Sequence, residues 1–167
     1  MSVDNIDEFE RVLHELAGQP CWSVQVSGVG SLVNLHFGER VRRSQPLTQP
    51  GFRLTPEERE FQGRYVLYLE DCPWRVESGQ AVLATWLDSS EPEGALTVAV
   101  QQLREQRVAA VELLRPGLDL LLHFDNDLRL RVFPDQIDAD EGDNYALALP
   151  DRVYVVAAGS TLYIDHM

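Results

Sequence analysis

The 167-residue chain has no lysine: all 14 of its basic residues are arginine, against 27 acidic residues, for a formal net charge of −13. Without lysine there is neither a Walker-type phosphate loop nor a lysine Schiff base. Cysteine is scarce too. Cys21 and Cys72 are too few for a disulfide framework and read as free thiols. No stretch approaches the ~18 uninterrupted apolar residues of a membrane span. The opening residues, 1–8, are acidic and carry no apolar core, so no secretory signal is expected and the chain reads as cytoplasmic. Basic runs are missing, and so large a negative charge repels phosphate backbones, which argues against nucleic acid as a partner. There is no Gly-x-Ser-x-Gly elbow for a nucleophilic serine. His36 and His123 lack a carboxylate or second histidine at metal-ligand spacing, so neither a metal nor another cofactor is expected.

What is present is the balance of an ordinary globular protein, 44% hydrophobic and 25% charged. A chain of this size buries roughly 70% of its extended surface on folding and needs no staple. Its dominant feature is internal repetition. Shifted by 87 residues, Leu13-x-x-Leu16-x-x-Gln19 falls on Val100-x-x-Leu103-x-x-Gln106, and Leu35-His36-Phe37 on Leu122-His123-Phe124. Val24 falls on Val111, Gly30 on Gly117 and Arg42 on Arg129. Shifted by 80, Tyr65-x-Leu67-x-Leu69-x-Asp71 falls on Tyr145-x-Leu147-x-Leu149-x-Asp151. The difference is a seven-residue excess in the middle loop of the first repeat. The boundaries are 3–88 and 91–167, joined near Ser89–Pro92.

Each repeat reads as a helix followed by about five or six strands. Asn5-x-x-Glu8 offers a capping box ahead of an apolar stripe of Ile6, Phe9, Val12, Leu13 and Leu16; Ser90-x-x-Glu93 copies it ahead of Leu96, Val100 and Leu103. Strands are expected at 22–26, 31–37, 64–69, 74–77 and 81–87, and again at 107–114, 118–124, 128–132, 144–149, 153–157 and 161–165. Because a slip of one residue inverts every side chain, the common parity of Val33, Leu35 and Phe37 with Leu120, Leu122 and Phe124 implies one common buried face. Trp22, Trp74 and Trp86 share the apolar parity and read as core. In the unmatched loop, Thr55-Pro56-Glu57-Glu58 predicts a short helix near 56–61. The fold class is therefore α+β, predominantly antiparallel β, with the two repeats packed as a pseudo-two-fold internal dimer, since half of such a chain has a thin core.

Candidate sites are few. Gly28-x-Gly30 lacks the following helix of a phosphate cradle and reads as a hairpin turn. Asp138-x-Asp140-x-Gly142-Asp143 hints at a calcium loop, but its glycine comes one place early and its twelfth position is Leu149. Asp135, Asp138, Asp140, Glu141 and Asp143 instead make the most concentrated negative surface, a place to meet a basic protein. If Asp125–Asp127 is a three-residue hairpin loop, His123 lies cross-strand from Arg129, and the same construction sets His36 opposite Arg42. Such couples suit a small anion or a contact between repeats; the plainer reading is polar residues on an exposed sheet face.

The pattern Leu-x-x-Leu-x-x-Gln, Asp119-Leu120-x-Leu122-x-Phe124 and Leu128-x-Leu130-x-Val132-Phe133 resembles a group of small bacterial β-rich proteins, some of them immunity-type partners of toxins. The resemblance is carried by core positions of the second repeat, speaks for fold more than function, and brings no catalytic residues. The sequence thus favours a non-enzymatic acidic binding protein, for which the resemblance suggests the narrower role of an immunity-like inhibitor of a basic protein partner, acting as monomer or homodimer. A small-molecule or anion sensor using the His/Arg face, and an enzyme of unassigned type, are the alternatives.

Overall fold

The computed structural model describes residues 3–27, 32–48, 54–70, 72–135, 137 and 143–167. In chain order the elements are α1 (Val3–His14), β1 (Cys21–Val26), β2 (Val33–Arg42), α2 (Pro56–Glu60), β3 (Phe61–Leu69), β4 (Trp74–Glu77) and β5 (Val82–Thr85). Then follow α3 (Ala95–Gln101), β6 (Val108–Leu114), β7 (Asp119–Phe124), β8 (Arg129–Val132), β9 (Asp143–Ala148), β10 (Arg152–Ala157) and β11 (Thr161–His166). The chain is β-rich, and among the described residues every pair of neighbouring strands is antiparallel. One sheet runs β1-β2-β3-β9-β10-β11 and the other β5-β4-β8-β7-β6. Each sheet therefore takes a three-strand meander from one half of the chain and its remaining strands from the other half. β3 and β9, the strands matched by the shift of 80, lie side by side in one sheet; the third place of the other meander belongs to β8.

Hydrogen bonding recurs at a spacing of 87 residues. Cys21 N–H donates to Gln106 O at 2.8 Å, and Val108 N–H to Gln19 O at 3.0 Å. Gly18 N–H donates to Val108 O and Glu105 N–H to Cys21 O, both at 2.7 Å. Gly18 and Glu105 both have positive φ, +86° and +70°, so the helix-to-strand corner is the same shape in both places although only one residue is glycine. β1 pairs with β2 and β6 with β7 in the same register, each with a slip after its first pair: Cys21↔Phe37 then Ser23↔His36, and Val108↔Phe124 then Ala110↔His123.

The apolar stripes explain the packing. Phe9, Val12, Leu13 and Leu16 of the first half, and Leu96, Ala99, Val100 and Leu103 of the second, recur at helical spacing and are all buried. They join the inner faces of both sheets in a single core, where the Phe9 ring stacks on Tyr154 at 5.4 Å. Val33, Leu35, Phe37, Leu120, Leu122 and Phe124 all face that core.

Several local expectations change. α1 already begins at Val3, so Asn5 lies within the helix and not at its cap. α3 begins after Gly94, which has no side-chain cap; Ser90 lies outside any element, and Pro92 and Glu93 form a turn. Gly94 is required there because a Cβ would collide with the Ser89 carbonyl oxygen. α2 forms with the full capping box of Thr55 and Glu58. β2 runs five residues past Phe37 to Arg42 through a bulge at Gly38, whose φ is +79°. The Gly28-x-Gly30 turn, together with Asp138, Asp140 and Glu141 of the acidic stretch, lies outside the described residues.

Candidate functional site

The register slips in β1 and β6 create the site. Each bulge turns two successive side chains outward, Trp22 with Ser23 and Ala109 with Ala110, while Cys21 and Val24, Val108 and Val111 stay in the core. Beyond that shared frame the two places differ.

On the β1 side the outer face is filled. Trp22, expected in the core, lies over His36 with ring centroids 5.7 Å apart, and the Arg40 guanidinium stands 4.5 Å from the indole ring. His36 Nδ1 accepts the Gly63 N–H at 3.0 Å. A Cβ on Gly63 would come within 2.7 Å of the Phe37 nitrogen, so glycine is what lets β3 approach the bulged β2. Residues 54–60 then close over this face. The Glu58 carboxylate accepts the Thr55 N–H at 3.1 Å and the Ser23 hydroxyl at 2.5 Å, and lies 3.6 Å from Arg104. Burial by itself would raise the Glu58 carboxyl; the Ser23 and Thr55 hydrogen bonds and the Arg104 charge overcome it and hold the group below the usual carboxylate range. His36 responds in the opposite sense. Burial, reinforced by Arg43 and only partly opposed by Glu58, pushes it down to about 3, so the ring is neutral.

On the β6 side the same frame carries Ala109 where β1 carries Trp22. A cleft of about 580 Å³ opens there, lined by Ala109, His123, Phe124, Asp127, Leu128, Arg129 and the Ser78–Gln80 turn. Its volume is within the range of small-molecule sites. His123 is the direct cross-strand neighbour of Arg129, and its Nε2 lies 2.9 Å from the Glu112 carboxylate. Arg129 donates to the Ser78 carbonyl at 3.0 Å and reaches Glu77 at 3.3 Å. Glu77 is a shared counter-ion, met also by Arg131 at 3.2 Å and by Arg75 at 2.9 Å. Burial favours its neutral form, but Arg131 and Arg75 prevail and lower its carboxyl below the ordinary value. The Nε atoms of Arg129 and Arg131 are buried and have no hydrogen-bond partner.

Of the four His/Arg positions read from the sequence, the fold thus joins His123 to Arg129. It does not set His36 opposite Arg42. Both lie on β2, because that strand continues where β7 turns; Arg42 instead faces Phe61 across the strand pair and forms an ion pair with Glu60. Asp135 and Asp143 are exposed. Cys21 and Cys72 are buried, and burial raises the Cys21 thiol far above its ordinary value, so it stays protonated and unreactive. Ser23, Glu77 and Arg104 carry no sequence signal that marks them as site residues, and Glu58 is legible only as part of a helix start. The positions Trp22 and Ala109, 87 residues apart, carry a readable signal: a large side chain in one half of the chain against a methyl group in the other. No family model, curated protein or solved structure matches the chain.

Proposed function

We propose that the chain is a non-enzymatic binding protein, built as a tandem duplication, that recognises a ligand with an anionic group in the cleft at His123 and Arg129. The reciprocal hydrogen bonds 87 residues apart, and the identical register slips, support the duplication. On that reading the halves 3–88 and 91–167 form an internal dimer that exchanges its later strands between the sheets. The observation that carries the binding role is the difference between the copies. The outer face beside His36 is closed by Trp22 and residues 54–60; the one beside His123 is open and lined by a guanidinium.

Titration with benzoate and inorganic phosphate, followed by backbone amide chemical shifts, tests this role. Shifts should centre on residues 78–80, 109 and 123–129 and vanish in His123→Ala, while His36→Asn leaves them intact. Shifts that persist in His123→Ala, or no shifts at all, would reject it.

A second reading, contact with a basic protein partner, is favoured by how the arginines are used. Arg40, Arg42, Arg104, Arg115 and Arg152 each meet a carboxylate, and Arg75, Arg129 and Arg131 share Glu77. Local neutralisation of the cations leaves the excess acids to set the outer field, in the manner of the immunity-type proteins the second repeat resembles. Binding to a basic protein should then weaken with salt and on replacing Asp135 and Asp143 by Asn; insensitivity to both would remove this reading.

A further inference from the structure

The filled half of the molecule shows what the open half is shaped to receive. Counting 87 residues on from Trp22, His36 and Arg40 gives Ala109, His123 and Asp127, and all three line the cleft. In the first half these positions cluster: the indole packs against the imidazole with the rings tilted by 56° and centroids 5.7 Å apart, and a guanidinium stands 4.5 Å from the indole centroid. In the second half the imidazole remains and the indole is replaced by a methyl group; Asp127, 87 residues on from Arg40, lies in the turn after β7, where β2 instead runs on, and brings a carboxylate to the cleft. The space beside His123 is thus the counterpart of a place that holds a planar aromatic ring.

Charge refines the class. Asp127 supplies a carboxylate to the lining of the cleft, and Arg129, two residues along, a partly exposed guanidinium that also meets Ser78 O and Glu77. We infer that the ligand is a small aromatic amino acid: its ring stacked on His123 over Ala109, its ammonium at Asp127 and its carboxylate at Arg129. A zwitterion also escapes the repulsion that a chain of net charge −13 exerts on a simple anion. The inference rests on the binding role proposed for this cleft and specifies its ligand.

The test uses the full chain and four probes in calorimetric titration: L-tryptophan, tryptamine without the carboxylate, indole-3-propionate without the ammonium, and benzoate. L-tryptophan should bind one to one, with tryptamine and indole-3-propionate each about tenfold weaker or worse, the cost of leaving a charged group of the site unpaired. Asp127→Asn should weaken L-tryptophan and tryptamine and leave indole-3-propionate unchanged. Ala109→Trp, which restores the indole found in the first half, should remain folded by circular dichroism and abolish binding of all four. Equal affinity for L-tryptophan and indole-3-propionate, indifferent to Asp127→Asn, overturns the amino-acid inference and leaves the anion site standing. No binding of any probe to the unsubstituted chain, or binding that survives a folded Ala109→Trp, overturns both. An Ala109→Trp chain that fails to fold contradicts the premise that the cleft accepts an indole.

Discussion

The rings of Phe37 and Phe124 stack on each other, with centroids 6.5 Å and planes 25° apart. One belongs to β2 and the other to β7, so the contact joins the inner faces of the two sheets. In a two-fold arrangement, equivalent residues meet each other only beside the axis. Pro20 and Arg107, also 87 residues apart, form an isolated antiparallel bridge of the same kind. On the proposed duplication, an axis between the copies passes close to both contacts.

Truncating either ring should therefore cost a similar amount. Phe37→Ala and Phe124→Ala should each destabilise the chain by about 3–5 kcal/mol, the usual range for a buried phenylalanine. The double variant should cost less than the sum, because the second truncation removes a contact already lost. Urea unfolding measures all three. Additive losses, or one ring worth far less than the other, would show that the stacking has no energetic counterpart.

The neutral His36 makes acid stability depend on a single ring in a distinct window. Its folded value is about 3 against an ordinary 6.5, so the unfolded chain binds the proton first as pH falls. The stabilisation is fully present above pH 6.5 and declines as pH drops from there toward 3. The limiting slope is ~1.4 kcal/mol per pH unit. Glu58 and Glu77, whose values are lowered, add losses in the same direction, but only once pH approaches the ordinary carboxylate range. Between pH 6.5 and 5 the slope thus belongs mainly to His36. His36→Asn keeps an acceptor for the Gly63 N–H and should flatten the change in Tm over that interval. An unchanged slope in the variant would assign the effect to other groups.

Glu77 is the common counter-ion of three arginines on the outer face of its sheet. Glu77→Gln should lower stability by about 1–3 kcal/mol, since the guanidiniums are about a third exposed and retain part of their hydration. The loss should be partly recovered by added phosphate, which can stand in for the missing charge, and not by chloride at equal ionic strength. Thermal unfolding in the two salts separates a bound counter-ion from general screening.

Much of this architecture is legible in the sequence because it is written in periodicity. The stripes at Phe9–Leu16 and Leu96–Leu103, and the alternation at Val33–Phe37 and Leu120–Phe124, depend on one side chain at a time and survive any rearrangement of the strands. That each sheet draws strands from both halves of the chain is not legible. Whether β4 lies beside β3 or beside β8 changes neither residue parity nor turn chemistry, so an alignment can match β3 to β9 while the sheets give β3 and β8 the same place. The cleft falls between these cases. His123 and Arg129 follow from a correctly read hairpin. The parallel construction at His36 fails because Gly38 carries β2 onward and residues 54–62 return over it. A buried carboxylate such as Glu58 is hidden for the same reason: its partners Ser23 and Arg104 are brought in from distant parts of the chain.

The mixed composition of the sheets has a mechanical consequence. If each sheet combines strands from both halves, cutting the chain between them should not release two bodies. A protease site inserted between the exposed residues Asp88 and Ser89 should be cleaved readily in the folded protein. The fragments should then elute together in size exclusion, held by the β3–β9 and β4–β8 pairings and by the shared core. They should separate only in denaturant, at a midpoint that now depends on concentration because two chains must meet to refold. Halves that part spontaneously after cleavage and remain folded would mean that each builds its sheet from its own strands, which is incompatible with the exchanged arrangement.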